Sequence, residues 1–268
     1  MTSPSPLRAY PRLGLLASAA TLALLAGCAS APGADPRDPW EPYNRSMTRF
    51  NDAVDDAVFK PVATAYRDVV PQPMRTGVGN FFGNLSDVWS FVNNVLQAKP
   101  EGALHSFWRV LINTTVGLGG VLDPASEMRL ERHREDFGQT LGRWGMPAGP
   151  YLVLPFLGAS TLRDTAALPV DWYGQPQMYA NDAAVRWGLT GLRMVHLRST
   201  LLGATDVLEA AALDSYTFRR DAFLQKRRND IYDGNPPQDE ERYDLDDGAA
   251  AAPAAPASSA SPQAAPAR

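Results

Sequence analysis

Apolar positions fall mostly at steps of three and four, which predicts a succession of short amphipathic helices. Tyr43, Met47, Phe50, Val54 and Val58 share one face of the first. Asp38 as N-cap, Pro39 and Glu41 mark its start. Pro61 opens a second helix, which Pro71 and Pro73 close. Met74 to Lys99 reads as two helices meeting at Gly83-Asn84. Pro100 starts another, with Leu104, Phe107, Trp108, Leu111 and Ile112 periodic, and Gly117, Gly119 and Gly120 end it. Asp123-Pro124 begins a single turn, Arg129 to Glu135 is a charged, exposed link, and Asp136 caps a helix running to Trp144. Ser160 or Thr161 caps LRDTAALPVDWYG, broken at Pro169. Asn181 starts a helix to His196, Asp206 one to Leu213, and Ser215 the last, to Tyr232. Few segments alternate with period two and no hairpin dipeptide separates such runs, so the expected fold is all-α in a single domain without internal repeats.

One stretch, LGRWGMPAGPYLVLPFLGASTLRD (141–164), breaks this pattern. Gly142, Gly145, Gly149 and Gly158 free the backbone, while Pro147, Pro150 and Pro155 stop any helix. Tyr151 to Leu157 is too apolar for a surface linker, and the segment is too short and broken to span a bilayer. Its backbone N–H and C=O groups need protein or a protein-lined cavity around them. Two readings stand: a buried loop crossing an ordinary core, or a gate or cavity wall beside lipid. Asparagine, a poor helix-interior residue, also recurs at Asn80, Asn84, Asn93, Asn94 and Asn113. Caps and turns account for Asn84; for others, local structure and the lining of a polar passage compete.

The ends set the compartment. Arg8 and Arg12 precede an apolar run, Leu13 to Ala26, that leads into Gly27-Cys28. A basic start, a short apolar run and small residues before cysteine form a lipoprotein signal. Cys28, the only cysteine, is the expected acylation site. Several acyl chains on one residue give stable anchoring, whereas one alone is marginal. With no second cysteine, intrachain disulfides are excluded. Ala29, not Asp, at the second mature position resembles the pattern for outer-membrane sorting within the lipoprotein class. The expected organisation is signal peptide 1–27, tether 28–37, helical body 38–237 and a disordered Ala/Pro-rich tail 238–268. The net charge of −4 and the lack of a Lys/Arg block exclude nucleic acid as a partner. The Arg and Lys residues of the last helix read as a solvated face, with a docking surface for an acidic partner or lipid headgroup as the minority alternative.

No catalytic constellation emerges. Nucleophile elbow, His-Glu-x-x-His, P-loop and dinucleotide fingerprint are all missing, and His105, His133 and His196 lie far apart without metal spacing. The expectation is a non-enzyme with no metal and no cofactor.

Several segments together carry a resemblance: DPWEPYNRSMTRFN (38–51), VPQPMRTGVGNFFGNL (70–85), FWRVLINTTVGLGGVLDPA (107–125), the 137–164 stretch and IYDGNPP (231–237). They resemble the MlaA (VacJ) lipoprotein family in order and over nearly the whole body. The resemblance implies a ring of helices lying in the inner leaflet of the outer membrane around a polar channel. It implies removal of misplaced phospholipid from the outer leaflet, trimeric porins as neighbours, and a soluble periplasmic lipid carrier as recipient. By the same resemblance Phe50 and Asn51 set the channel's resting state, and Gly145, Gly149 and Pro150 belong to a flexible loop at the channel. Some relatives carry an additional Gly where this chain has Pro147. Asn80, Asn84, Asn113, Arg163 and Asp164 remain candidates either for channel lining or for local structure. The alternatives are a lipoprotein that scaffolds porins without moving lipid, and a phospholipase.

Overall fold

A computed structural model describes residues 35–237, except 212 and 213 and the side chains of 204–213. Cys28, the tether's first residues, the expected signal and the tail lie outside the described residues. Helix α1 (Glu41–Val54) passes through a π-helical segment (Asp55–Phe59) into α2 (Lys60–Val69). α3 (Gln72–Leu96), α4 (Pro100–Thr115), the single turn α5 (Pro124–Glu127) and α6 (Phe137–Arg143) follow. A hairpin of β1 (Tyr151–Leu154) and β2 (Gly158–Thr161) leads to α7 (Leu162–Gly174) and a 3₁₀ turn (Pro176–Tyr179). α8 (Ala183–Ala211) and α9 (Ser215–Ile231) complete the helices. α3 packs on α4, α2 on α8, and α6 on α7. The all-α reading holds, with Asp123, Asp136 and Thr161 each accepting a backbone N–H at a helix start.

Several local expectations are corrected. Gly83 and Asn84 do not divide a helix: α3 runs through them. Gly83 leaves room for the Arg132 guanidinium, which lies 2.5 Å from where a Cβ would be. Asn84 donates to Thr114 Oγ1 at 2.9 Å. Tertiary partners thus override two poor helix formers. Pro61 does not open a separate helix, because the wider π turn before it accommodates a proline within a continuous run. α7 likewise continues through Pro169, and its packing on α6 offsets the one lost backbone bond. α8 runs unbroken past Asp206, with Leu201, Leu202, Ala204 and the 208–211 LEAA run outweighing the weaker helix formers Gly203, Thr205 and Val207. Asp38 does not cap α1; its buried carboxylate accepts from Asn44 Nδ2 at 2.7 Å and from the Tyr216 hydroxyl. The 129–135 link is not simply exposed, because Arg132 pairs with Asp87 at 3.1 Å and Glu135 is buried against Gln97 and Lys99. His105 and His133 are not apart either: their ring nitrogens meet at 3.2 Å.

The greasy stretch is a two-stranded antiparallel hairpin with Tyr151 opposite Thr161 and Leu154 opposite Gly158. Sequence patterning misses it because the run is continuously apolar rather than alternating. Tyr151 and Val153 face inward against Tyr216, with Met47, Phe223 and Leu224 packed around them. Its turn, Pro155 to Leu157, stands exposed. The neighbouring last helix is no solvated basic face: Arg219 pairs with Asp52, Arg220 with Asp35, and Arg227 with Asp136 and Asp164.

The interior is polar and the exterior apolar. Among the described residues, buried polar side chains outnumber buried hydrophobic ones about two to one. Arg109 is buried, donating to Asp87, Asp123, Ser126 and the Leu130 carbonyl. Leu104, Phe107, Trp108, Leu118, Trp144 and Trp187 are all exposed. Tyr43, Phe50 and Val58 from the apolar stripe of α1 also face outward, while Met47 packs inward. Burial of apolar surface normally drives folding in water, so this distribution reverses the ordinary one. Among the described residues no helix is long and apolar enough to cross a membrane.

Candidate functional site

Three groupings of polar side chains organise the interior. The first is a cavity of about 610 Å³ between α3, the 129–136 link, α6, α7 and α8. Asn80, Ser86 and Trp89 reach it from α3, Arg132, Arg134 and Glu135 from the link, Gln139 from α6, and Asp171 from α7. Gln175, Arg193, His196 and Thr200 close the opposite side. The lining acids have internal partners: Glu135 holds Lys99, Asp136 holds Arg227, and Asp171 accepts from Trp89 Nε1 and the Phe137 amide. Burial pushes the Glu135 and Asp171 carboxyls up despite these donors. Arg193 differs, with Gln175 Oε1 at 2.8 Å and Ser86 Oγ at 3.1 Å as its acceptors and no carboxylate partner among the described residues. Burial, reinforced by the charge on Arg134, pulls the Arg193 guanidinium below its ordinary range.

The second grouping is an amide clasp on the hairpin. Asn51 Nδ2 donates to the Leu154 carbonyl at 2.9 Å, and its Oδ1 accepts the Phe156 N–H at 2.8 Å. Two helical turns earlier, Asn44 repeats this on Tyr151 O, at 3.0 Å, and Val153 N, at 2.8 Å. One face of α1 thereby satisfies the open edge of β1, as a third strand would. Phe50 stacks edge-on against Phe156, with centroids 5.4 Å apart. The neighbouring Phe156 backbone has φ of 63°, a left-handed conformation unusual outside glycine.

The third grouping is an ion network beneath the glycine-rich loop. Arg227 spans Asp136, at 2.6 and 2.7 Å, and Asp164, at 2.8 and 3.0 Å. Burial opposes the Asp136 charge, yet Arg227 holds that carboxyl below its usual range. Arg163 pairs with Asp164 at 2.9 Å and reaches the Met146 carbonyl at 3.3 Å. Gly145 and Gly149, with φ of 93° and 69°, make the loop's left-handed bends. The loop is pinned by Arg163 N to Ala148 O at 3.1 Å and Leu162 N to Pro150 O at 3.0 Å.

The candidates therefore separate. Phe50 and Asn51 meet the hairpin turn; Gly149 and Pro150 meet the start of α7, while Gly145 follows the end of α6 and donates to the Gly142 carbonyl at 3.0 Å; Arg163 and Asp164 lie under that loop. Asn80 is at the cavity wall and donates to the Val121 carbonyl at 3.1 Å, Asn84 ties α3 to α4 through Thr114, and Asn113 donates to Asp123 at 2.8 Å and accepts from the Ala125 amide at 3.1 Å. Arg193, Ser86 and Gln175 were not singled out by sequence reasoning. The available signal was one arginine inside the apolar run LTGLRMVHL (189–197). No group of three His, Cys, Asp or Glu side chains among the described residues is arranged to hold a metal.

A helical body with a wet interior and an oily surface defines a class of protein built for a lipid environment. The MlaA lipoprotein family model matches residues 36–230, and the chain belongs to that family. It is 39% identical over 231 residues to the intermembrane phospholipid transport system lipoprotein MlaA of Shigella flexneri, covering 80% of this chain and 87% of that protein. Identity to the MlaA of Escherichia coli K12 is 38% over the same shares. A solved structure concerned with maintenance of bacterial outer membrane lipid asymmetry superposes with a TM-score of 0.65 at 34% identity, covering 74% of this chain and 99% of that one.

Proposed function

We propose that this chain is an outer-membrane lipoprotein that takes misplaced phospholipid from the outer leaflet through a polar passage and yields it to a soluble periplasmic carrier. The observation that carries this reading is the reversed polarity: a polar cavity of about 610 Å³ within a body whose surface bears exposed Trp108, Trp144 and Trp187. Bringing a charged headgroup into hydrocarbon costs several kcal/mol or more. A polar conduit lowers that barrier for the headgroup while acyl chains remain outside among apolar side chains. In this reading the helices ring the passage and lie in the inner leaflet, anchored through acylated Cys28, beside a trimeric porin. Phe50 and Asn51, by holding the hairpin turn, set the resting state, and the 145–150 loop borders the route. The names of the relatives, phospholipid transport lipoproteins, favour this reading.

The experiment is transfer of radiolabelled phospholipid from vesicles carrying the acylated protein to a purified carrier. Intact lipid on the carrier supports transport, whereas released fatty acid identifies a phospholipase. Unchanged surface phospholipid in a deletion strain identifies a porin scaffold.

A further inference from the structure

A second, smaller cavity of about 220 Å³ adjoins the polar one and has a different character. Trp172, Met178, Met194 and Leu197 contribute apolar walls. Arg193, Gln175 and Leu197 line both cavities. Arg193 thus stands where a wet compartment meets an oily one. That boundary is where an amphiphile with a phosphate between polar headgroup and acyl chains carries its negative charge.

We infer that Arg193 is the phosphate-reading residue of this protein: a phospholipid pauses with its phosphodiester on the guanidinium, its headgroup in the larger cavity and the start of an acyl chain against Trp172 and Met194. The inference rests on the transport reading above. Arg193 is already oriented by Ser86 and Gln175, two neutral acceptors that leave its charge uncompensated. Arg134 lines the same cavity, is exposed, and has no carboxylate partner among the described residues. Burial of the Arg193 charge and its repulsion by Arg134 are both relieved by a bound anion. Gln139 adds a buried Oε1 without a hydrogen-bond partner at the same wall, an acceptor suited to an ammonium or hydroxyl of the headgroup. A guanidinium also suits phosphate in its fixed fork of donors.

The test uses the full acylated chain, the Arg193→Gln and Arg193→Lys variants, and vesicles of phosphatidylglycerol with or without labelled diacylglycerol. Lipid retained after purification is counted by mass spectrometry. Arg193→Gln is expected to retain about tenfold less phosphatidylglycerol, the loss of one charge-assisted contact. Arg193→Lys, which keeps the charge but not the fork of donors, should recover only part of it, and diacylglycerol retention should not change. Equal phosphatidylglycerol retention by Arg193→Gln, or no retention by the unchanged chain, overturns the inference while leaving transport intact; no transfer of labelled phospholipid to the carrier by the unchanged chain overturns the transport reading itself. Inorganic phosphate distinguishes a free-anion site: a melting shift that needs Arg193, with lipid retention indifferent to Arg193, overturns the headgroup assignment. If Arg193→Gln fails to fold, the exposed Arg134→Gln decides, with retention reduced about threefold as expected of a partly screened charge and unchanged retention overturning the inference.

Discussion

Asn51 uses both ends of its amide on the hairpin, with donor and acceptor on separate atoms spaced to meet a strand's C=O and N–H together. Asn51→Ala is expected to cost about 2 kcal/mol locally, from two lost hydrogen bonds. Hydrogen exchange at the Phe156 amide reads this directly; unchanged exchange would contradict the clasp. Asp123 illustrates a charge whose worth depends on pH. Burial opposes its ionisation, but Ser126, Asn113 and Arg109 overcome it and lower the carboxyl to about 2. A folded-state value below the unfolded one stabilises above the unfolded pKa and is lost as pH falls from about 4 through 2. Asp123→Asn should therefore be less stable than the unchanged chain by about 2 kcal/mol at neutral pH. Urea titrations should show that gap closing toward pH 2, and a gap independent of pH would contradict the assignment.

At the scale of elements, what the sequence made legible was local chemistry. Asp123, Asp136 and Thr161 cap their helices because a short side-chain oxygen just before a helix can accept the free N–H groups of its first turn. What stayed hidden depended on distant partners. Gly83 and Asn84 look like a break until Arg132 and Thr114 arrive from other elements. The hairpin stayed hidden because its strands are paired to each other and to asparagines on α1, over a separation of about a hundred residues. The basic face of α9 was misread for the same reason: its carboxylate partners come from four other places in the chain. Gly138 tests the packing of α6 on that helix. Alanine is the better helix former by about 1 kcal/mol, yet its Cβ would lie 2.5 Å from both Arg227 Nη2 and Asp164 Oδ1. The clash should dominate, destabilising by about 1–3 kcal/mol. Chemical denaturation of Gly138→Ala measures it, and a stabilised variant would show the network to be loose.

Across the whole molecule, the membership of the MlaA family was legible in ordered segments, and the reversed polarity was legible only in outline. The recurring asparagines signalled a polar interior. Their individual roles did not follow, because Asn80, Asn84 and Asn113 each bond to a partner from another segment of the chain, and Asn80 also reaches the cavity. Arg193 escaped notice because a single charge in an apolar helix gains meaning only when two cavities meet at it. A body apolar outside and polar inside should be stable in lipid and prone to association in water. Removal of detergent from the purified protein should produce oligomers by light scattering, and transfer to phospholipid nanodiscs should restore single particles.

The most direct measurement of the central claim places a photocrosslinking amino acid at Leu168, on the wall of the polar cavity, in cells fed radiolabelled phosphate. A second position, the exposed Lys226 on α9, serves as the comparison. Passage of phospholipid through the interior predicts labelled lipid attached at 168 and not at 226. Equal labelling at both positions, or none at 168, would contradict it.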